Sequence, residues 1–453
     1  MAPIRHLALV ACIVLAPIAV AEPDPVEDII TGAFEALKAG NNEQAMALLQ
    51  TAYEDALEKP LTEQVTPVID ATFLALEMGE DEFANKMINH VLNSYEADYG
   101  KQSQELIDVA LEMGERLNYG AKRALANYAL TISQKAHATD RMAHARTEIR
   151  AGRILADDSA SQEEARELLT ATVKAIETQY GKDATELIPA LMALGHANVG
   201  LFNNRFENNS SKRRRVYSRA VKIAEKSGDA MLHAKTLFDA GEQLLMGNSD
   251  RAMVYMHKSF DAYTALMGPT HPEAGMVALR IASVHADEAA GGRRKHMKDM
   301  RRYAEHAIEG LRTSDTHREE HISALGILAR YYERREKHDD ATPYVLEIDR
   351  IRGEMNGGDA DPHPLQQVLF ARPSSLANSR VKGTVSVEFV IDEEGFVRDF
   401  TITASDVYKS VQTEVRRTVE RWRYAPKMSG GKPVKDIVTA TFPFDWERPR
   451  RIF

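Results

Sequence analysis

The sequence predicts a mainly α protein in which an α-solenoid of helical hairpins precedes a small α+β domain, an antiparallel sheet plus one helix. Two observations predict this fold class. One motif recurs at the spacing of helical repeats. Late in the chain the period at which apolar residues recur changes from 3.6 residues to 2 residues. The 453 residues exceed what one hydrophobic core usually serves, so at least two domains are expected.

The repeated motif begins with an alanine, continues 15 residues later with Tyr or Met, and closes on a glycine. Its copies are Ala84 with Tyr99-Gly100, Ala165 with Tyr180-Gly181, and Ala252 with Met267-Gly268. The glycines are spaced by about twice a unit of a little over forty residues, which is typical of stacked helical hairpins. A small residue at the alanine position lets two helices pack closely into each other's grooves.

The turn of the third copy ends one helix and begins another. It reads Gly268-Pro269-Thr270-His271-Pro272, and Pro272 is tolerated in a first helical turn. These features resemble tetratricopeptide repeats, particularly those of kinesin light chains, over about Val26 to Gly353. The resemblance implies a repeat domain at residues 22–353 whose concave surface receives a peptide or protein.

Residues 1–21 have the pattern of a secretory signal peptide. Arg5 and His6 precede an apolar run that ends in Ala19-Val20-Ala21, ahead of acidic and proline residues. The run is shorter than the roughly 20 residues of a membrane-spanning helix, so cleavage is favoured over retention as an anchor. Lipidation at Cys12, the only cysteine, is disfavoured because apolar residues continue beyond it.

A linker at residues 354–370 follows the repeats, because glycine, proline and short polar residues interrupt the helical pattern there. Alternating residues then predict a hairpin of Thr384 to Ile391 and Phe396 to Thr403. A helix follows, with Ser405 or Asp406 as its N-cap. The residues on its buried face are Val407, Val411, Val415, Val419 and Trp422.

A last strand is predicted from about Asp436 to Trp446. Hairpin, helix and strand make a two-layer domain at residues 371–447, with a tail at 448–453. Pro443 lacks an N–H group, which favours an edge position for its strand.

The C-terminal residues resemble the TonB C-terminal domain family. The similar segments are Gly383 to Asp392, Gly395-Phe396-Val397, Trp422-Arg423-Tyr424-Ala425-Pro426 and Gly431-Lys432-Pro433-Val434. Arg372 stands where the family usually has a tyrosine. The resemblance implies a periplasmic protein, or an inner-membrane one if residues 1–21 are retained.

In that family the domain adds the N-terminal peptide of an outer-membrane transporter as a strand at its sheet edge. The resemblance therefore implies an adaptor in TonB-dependent transport, and the alternative is an envelope scaffold that binds cell-wall polymer or other periplasmic components. The expected docking residues are Arg372 and the last-strand residues Val438, Thr439, Ala440, Thr441 and Phe442. For Phe442 and Phe444 the alternative is a place in the domain core.

No catalytic, cofactor or nucleic-acid site is expected. The sequence has no metalloprotease, nucleophile-elbow, phosphate-loop or dinucleotide motif, so an enzyme is disfavoured. The net charge of −10 gives no basic footprint for nucleic acid. His317 and His321 are four residues apart, but a metal site needs a further ligand.

Overall fold

The computed structural model describes residues 25–117, 120–158, 160–198, 206–245, 249–291, 293–366, 370–377 and 379–446. The mainly α fold with a small C-terminal antiparallel sheet is confirmed. The predicted signal peptide and the tail at 448–453 lie outside the described residues. The chain divides into two compact units, residues 1–256 and 257–453.

The first unit is a stack of helices. Consecutive helices pack against each other, and each odd-numbered helix also contacts the next odd-numbered one, as expected for stacked hairpins. Its helices are α1 (Pro25–Lys38), α2 (Asn42–Leu57), α3 (Leu61–Met78), α4 (Asp81–Tyr99), α5 (Gln104–Arg116), α6 (Gly120–Ala136), α7 (Arg141–Ala156), α8 (Gln162–Tyr180), α9 (Leu187–Ala197), α10 (Phe206–Lys226) and α11 (Ala230–Leu244). The division between the units falls within α12 (Ser249–Met267).

The repeated motif occupies the places that its residue types predict. Ala84, Ala165 and Ala252 are fully buried near the starts of α4, α8 and α12. Gly100 and Gly181 follow the ends of α4 and α8 with φ of +98° and +97°, a conformation that side chains with a Cβ rarely adopt. The alanines therefore serve close helix packing, and these two glycines serve helix termination.

The second unit continues with helices and ends in short sheets. Helices α13 (Pro272–Ala290) and α14 (Met297–Leu311) form one packed pair, and α15 (Arg318–Glu333) and α16 (His338–Met355) form the next. The remaining elements are β1 (His363–Gln366), β2 (Val381–Ile391), β3 (Val397–Ser405), α17 (Lys409–Val419), β4 (Arg423–Ala425), β5 (Lys427–Ser429), β6 (Lys432–Val434) and β7 (Asp436–Trp446).

The main sheet has the order β3-β2-β7, with both pairings antiparallel. Its inner face packs with α17 around Phe389, Val415 and Trp422. The cap predicted at Ser405 or Asp406 is wrong, because the N-cap of α17 is Tyr408 and no side chain bonds there. The Asp406 carboxylate instead accepts a hydrogen bond from the Thr384 N–H, which ties the end of β3 to β2.

The segment 354–370, expected as a linker, contains strand β1, which pairs with β4. Ala360 and Met428 exchange two backbone hydrogen bonds of 3.1 and 2.8 Å, and the Gly431 N–H donates to the Gly358 oxygen at 2.8 Å. Much of this segment is therefore fastened to the C-terminal strands.

Candidate docking edge

Strand β7 lies at one edge of the main sheet. It pairs with β2 in an unbroken register from Val381 opposite Trp446 to Ile391 opposite Asp436, and no other described strand pairs with it. Strand β3 is the other edge, but its pairing with β2 is interrupted by two irregularities. Such irregularities discourage further strand pairing, so β7 is the better template.

The backbone groups at the free edge of β7 belong to alternate residues. The Asp406 N–H donates to the Thr384 oxygen at 3.3 Å, and the Asp406 carboxylate accepts from the Thr384 N–H, so Thr384 points its backbone groups toward β3. Pro443, opposite Thr384, must then point its nitrogen away from β2. By the period of two, Thr441, Thr439 and Ile437 present their N–H and C=O groups at this free edge.

The predicted docking residues thus divide into two sets. Thr439 and Thr441 have exposed side chains and outward backbone groups. Val438, Ala440 and Phe442 are half-buried against the domain core, and their backbone groups bond to β2. Only the first set offers unpaired backbone groups.

An aromatic cluster supports β7 from the inside. The Phe370 ring lies 4.9 Å from the Phe442 ring and 5.8 Å from the Trp422 ring, between centroids. Phe444 is 5% exposed, so its place is in the core. Phe442 and Phe444 therefore pack in or against the domain core, the alternative considered for them from the sequence.

Arg372 is engaged within the chain. Its guanidinium donates to the Leu376 oxygen at 3.0 Å and to the Ser379 oxygen, and it lies 5.9 Å from the Trp446 ring centroid. These contacts hold the loop before β2 against the end of β7. Arg372 thus borders the candidate edge while its side chain braces the loop.

Arg423 forms a buried ion pair that the sequence did not reveal. Its side chain is 1% exposed, and its Nη1 lies 3.3 Å from Oε1 of Glu333, itself 5% exposed, at the end of α15. Its Nη2 donates to Thr342 Oγ1 at 2.9 Å, and the guanidinium lies 3.5 Å from the Phe396 ring centroid. Burial lowers the pKa of Arg423, whereas Glu333 raises it.

This ion pair joins the sheet domain to the last helical hairpin. The other carboxylate oxygen of Glu333, Oε2, lies 2.5 Å from His338 Nδ1. Ala425, two residues after Arg423, packs in an apolar cluster with Leu325 and Ile348. The only available signal was the charged residue inside Trp422-Arg423-Tyr424, part of a segment that resembles the TonB C-terminal domain family. Its partner lies 90 positions away, beyond the range of any local pattern.

His317 and His321 have different surroundings. His317 Nδ1 bonds to Ser314 Oγ at 2.7 Å, while His321 is 4% exposed and burial lowers its pKa. Within the described ranges, no group of three or more His, Cys, Asp or Glu side chains is arranged to hold a metal ion.

None of the helices in the described part of the chain combines the length and the apolar character needed to cross a membrane.

Two solved structures are similar to parts of this chain. BtubC from P. vanneervenii has a TM-score of 0.42 and 14% identity, over 55% of this chain and 97% of that one. TPR-like repeats described as a kinesin light chain of Podospora anserina have a TM-score of 0.36 and 12% identity, over 47% of this chain and 96% of that one.

The C-terminal residues match a protein family. Over 99 residues the chain is 31% identical to Protein TonB of Pseudomonas aeruginosa, and the match spans 22% of this chain and 28% of that protein. The model of the Gram-negative bacterial TonB protein C-terminal matches residues 373–447. The predicted resemblance to the TonB C-terminal family is confirmed for residues 373–447, which match the model of that family, and a stack of helices precedes them.

Proposed function

We propose that this protein is a periplasmic, non-catalytic adaptor in TonB-dependent transport. Its C-terminal domain docks the N-terminal peptide of an outer-membrane transporter by strand addition at β7. The observation that carries the proposal is the free edge of β7 within a domain that matches the TonB C-terminal family. Removal of residues 1–21 would leave the helical repeats as a soluble body that carries this domain.

The proposed binding relies on backbone hydrogen bonds. An incoming extended segment would pair with Ile437, Thr439 and Thr441, each of which offers one N–H and one C=O. Each such bond contributes roughly 0.5–1.5 kcal/mol net. Pro443 cannot donate, so pairing should weaken toward the end of the strand. The Thr439 and Thr441 side chains would flank alternate residues of the peptide.

The decisive variant is Thr441→Pro, which removes an outward donor without removing a bond to β2. Thr441→Val is its matched control, because both variants lose the 2.9 Å contact with the Ser386 hydroxyl and only the first loses the N–H. Fluorescence anisotropy with the full chain and a labelled N-terminal transporter peptide from the same organism measures the affinity. We expect Thr441→Pro to weaken binding about tenfold and Thr441→Val to change it little.

Amide hydrogen exchange locates the peptide. The Thr439 and Thr441 amides should become protected on binding, whereas the Val438 and Ala440 amides, already bonded to β2, should change little. Equal affinities of the proline and valine variants, or protection confined to β3, would contradict docking at β7.

A further inference from the structure

Two arginines near the end of α15 have no ion-pair partner among the described residues. Arg330 and Arg334 are four residues apart on one helical face, and neither guanidinium bonds to a described residue. Two other arginines of the second unit are paired with nearby acids, Arg301 with Glu305 and Arg318 with Asp315. The pair is therefore an uncompensated positive site in a chain of net charge −10.

The surroundings disfavour two unpaired cations. Partial enclosure and the adjacent Arg334 lower the pKa of Arg330, and Asp287 is the neighbour that raises it. Asp287 makes no ion pair with either arginine within the described residues. The C-terminus of α15 contributes only about half an elementary negative charge, which cannot balance two guanidinium groups. An arriving anion would relieve this repulsion.

A small recess adjoins the two arginines. Its volume is about 30 Å³, and Ala286 of α13, Met300 of α14 and Ile327 of α15 line it together with Arg330, Tyr331 and Arg334. Ile327 and Met300 are 3% and 4% exposed, so the floor is apolar. The recess has room for about one methyl group. The site therefore combines a cationic rim with an apolar floor.

We propose that Arg330 and Arg334 bind acidic side chains of an extended polypeptide whose neighbouring small apolar residue enters the recess. Guanidinium groups suit carboxylates because they donate two parallel, charge-assisted hydrogen bonds. An anionic membrane surface is a poorer fit, since the net negative charge of the chain opposes adsorption and the site is only two arginines wide. The site is separate from β7, so either proposal stands if the other fails.

The test uses the full chain and a labelled decapeptide of alternating glutamate and alanine, with a glutamine–alanine decapeptide as the neutral probe. We expect the double variant Arg330→Gln/Arg334→Gln to bind the acidic peptide at least about tenfold more weakly than the native chain. Binding should fall with added salt, and the neutral peptide should bind poorly to both proteins.

Arg318→Gln is the control, because it removes one positive charge from the same helix at an arginine that already has a partner. It should leave peptide affinity unchanged, and thermal unfolding by circular dichroism checks that each variant is folded. Unchanged affinity in a folded double variant would overturn the proposal. Loss of binding to phosphatidylglycerol vesicles with unchanged peptide binding would overturn it in favour of a lipid surface.

Discussion

Glu333→Ala should loosen the C-terminal domain from the last helical hairpin. The substitution leaves Arg423 charged at a site that is 1% exposed and removes the carboxylate whose oxygen lies 3.3 Å from its Nη1. Breaking a buried ion pair from one side typically costs about 3–5 kcal/mol. Thr342 and the Phe396 ring would still contact the guanidinium, so we expect the lower end, about 3 kcal/mol.

The composition supplies a specific assay. The chain has 2 tryptophans, Trp422 and Trp446, and both belong to the C-terminal domain. Urea unfolding followed by tryptophan fluorescence therefore reports on this domain, and circular dichroism follows the helices. We expect Glu333→Ala to lower the midpoint of the fluorescence transition and to leave most of the circular dichroism transition in place.

Two controls separate the ion pair from general damage. Glu305→Ala breaks the exposed pair with Arg301 and should cost less than about 1 kcal/mol. The double variant Glu333→Leu/Arg423→Met removes both buried charges and should recover most of the loss, because no unpaired charge remains. An unchanged fluorescence midpoint in Glu333→Ala, or no recovery in the double variant, would refute this reasoning.

Three further predictions concern packing and titration. Ala165→Leu should lower the free energy of unfolding by about 1–3 kcal/mol, because the larger side chain overpacks a fully buried site. Gly181→Ala should lower it by about 1–3 kcal/mol, because a residue with a Cβ is strained at φ +97°. Unfolding of the helices, followed by circular dichroism, measures both effects. Burial raises the pKa of Asp349 to about 7, so its ionisation weakens folding as pH rises from about 4, the unfolded value, to about 7. Asp349→Asn should therefore stabilise the chain more at pH 8 than at pH 4, and an equal effect at both would contradict this.

The architecture was predictable because its determinants are local. Ala84 and Gly100 recur with fixed offsets, and each residue type has one strong physical use, close packing for alanine and positive φ for glycine. The alternation of polar and apolar residues from Thr384 to Ile391 likewise indicated a strand with one buried face. Pro443 indicated an edge strand from its own chemistry, and β7 is at the edge.

The details of the candidate site depended on pairings that no local pattern encodes. Which backbone groups of β7 face outward follows from the contact between Asp406 and Thr384, and Asp406 looked equally suited to cap a helix. The pair of Arg423 and Glu333 joins a sheet motif to a repeat helix, two segments that the sequence assigns to different domains. When a side chain has several possible partners, only the tertiary structure shows which one it contacts.

The pairing of β1 with β4 affects how the domain can be isolated. A fragment that starts at residue 371 would lack the strand partner of Arg423 to Ala425 and the acceptor at Gly358. It would also lack Glu333, which would leave the Arg423 guanidinium without its carboxylate. A fragment intended to keep the native surface should begin ahead of Arg318, so that the last two helices of the repeat body accompany the sheet.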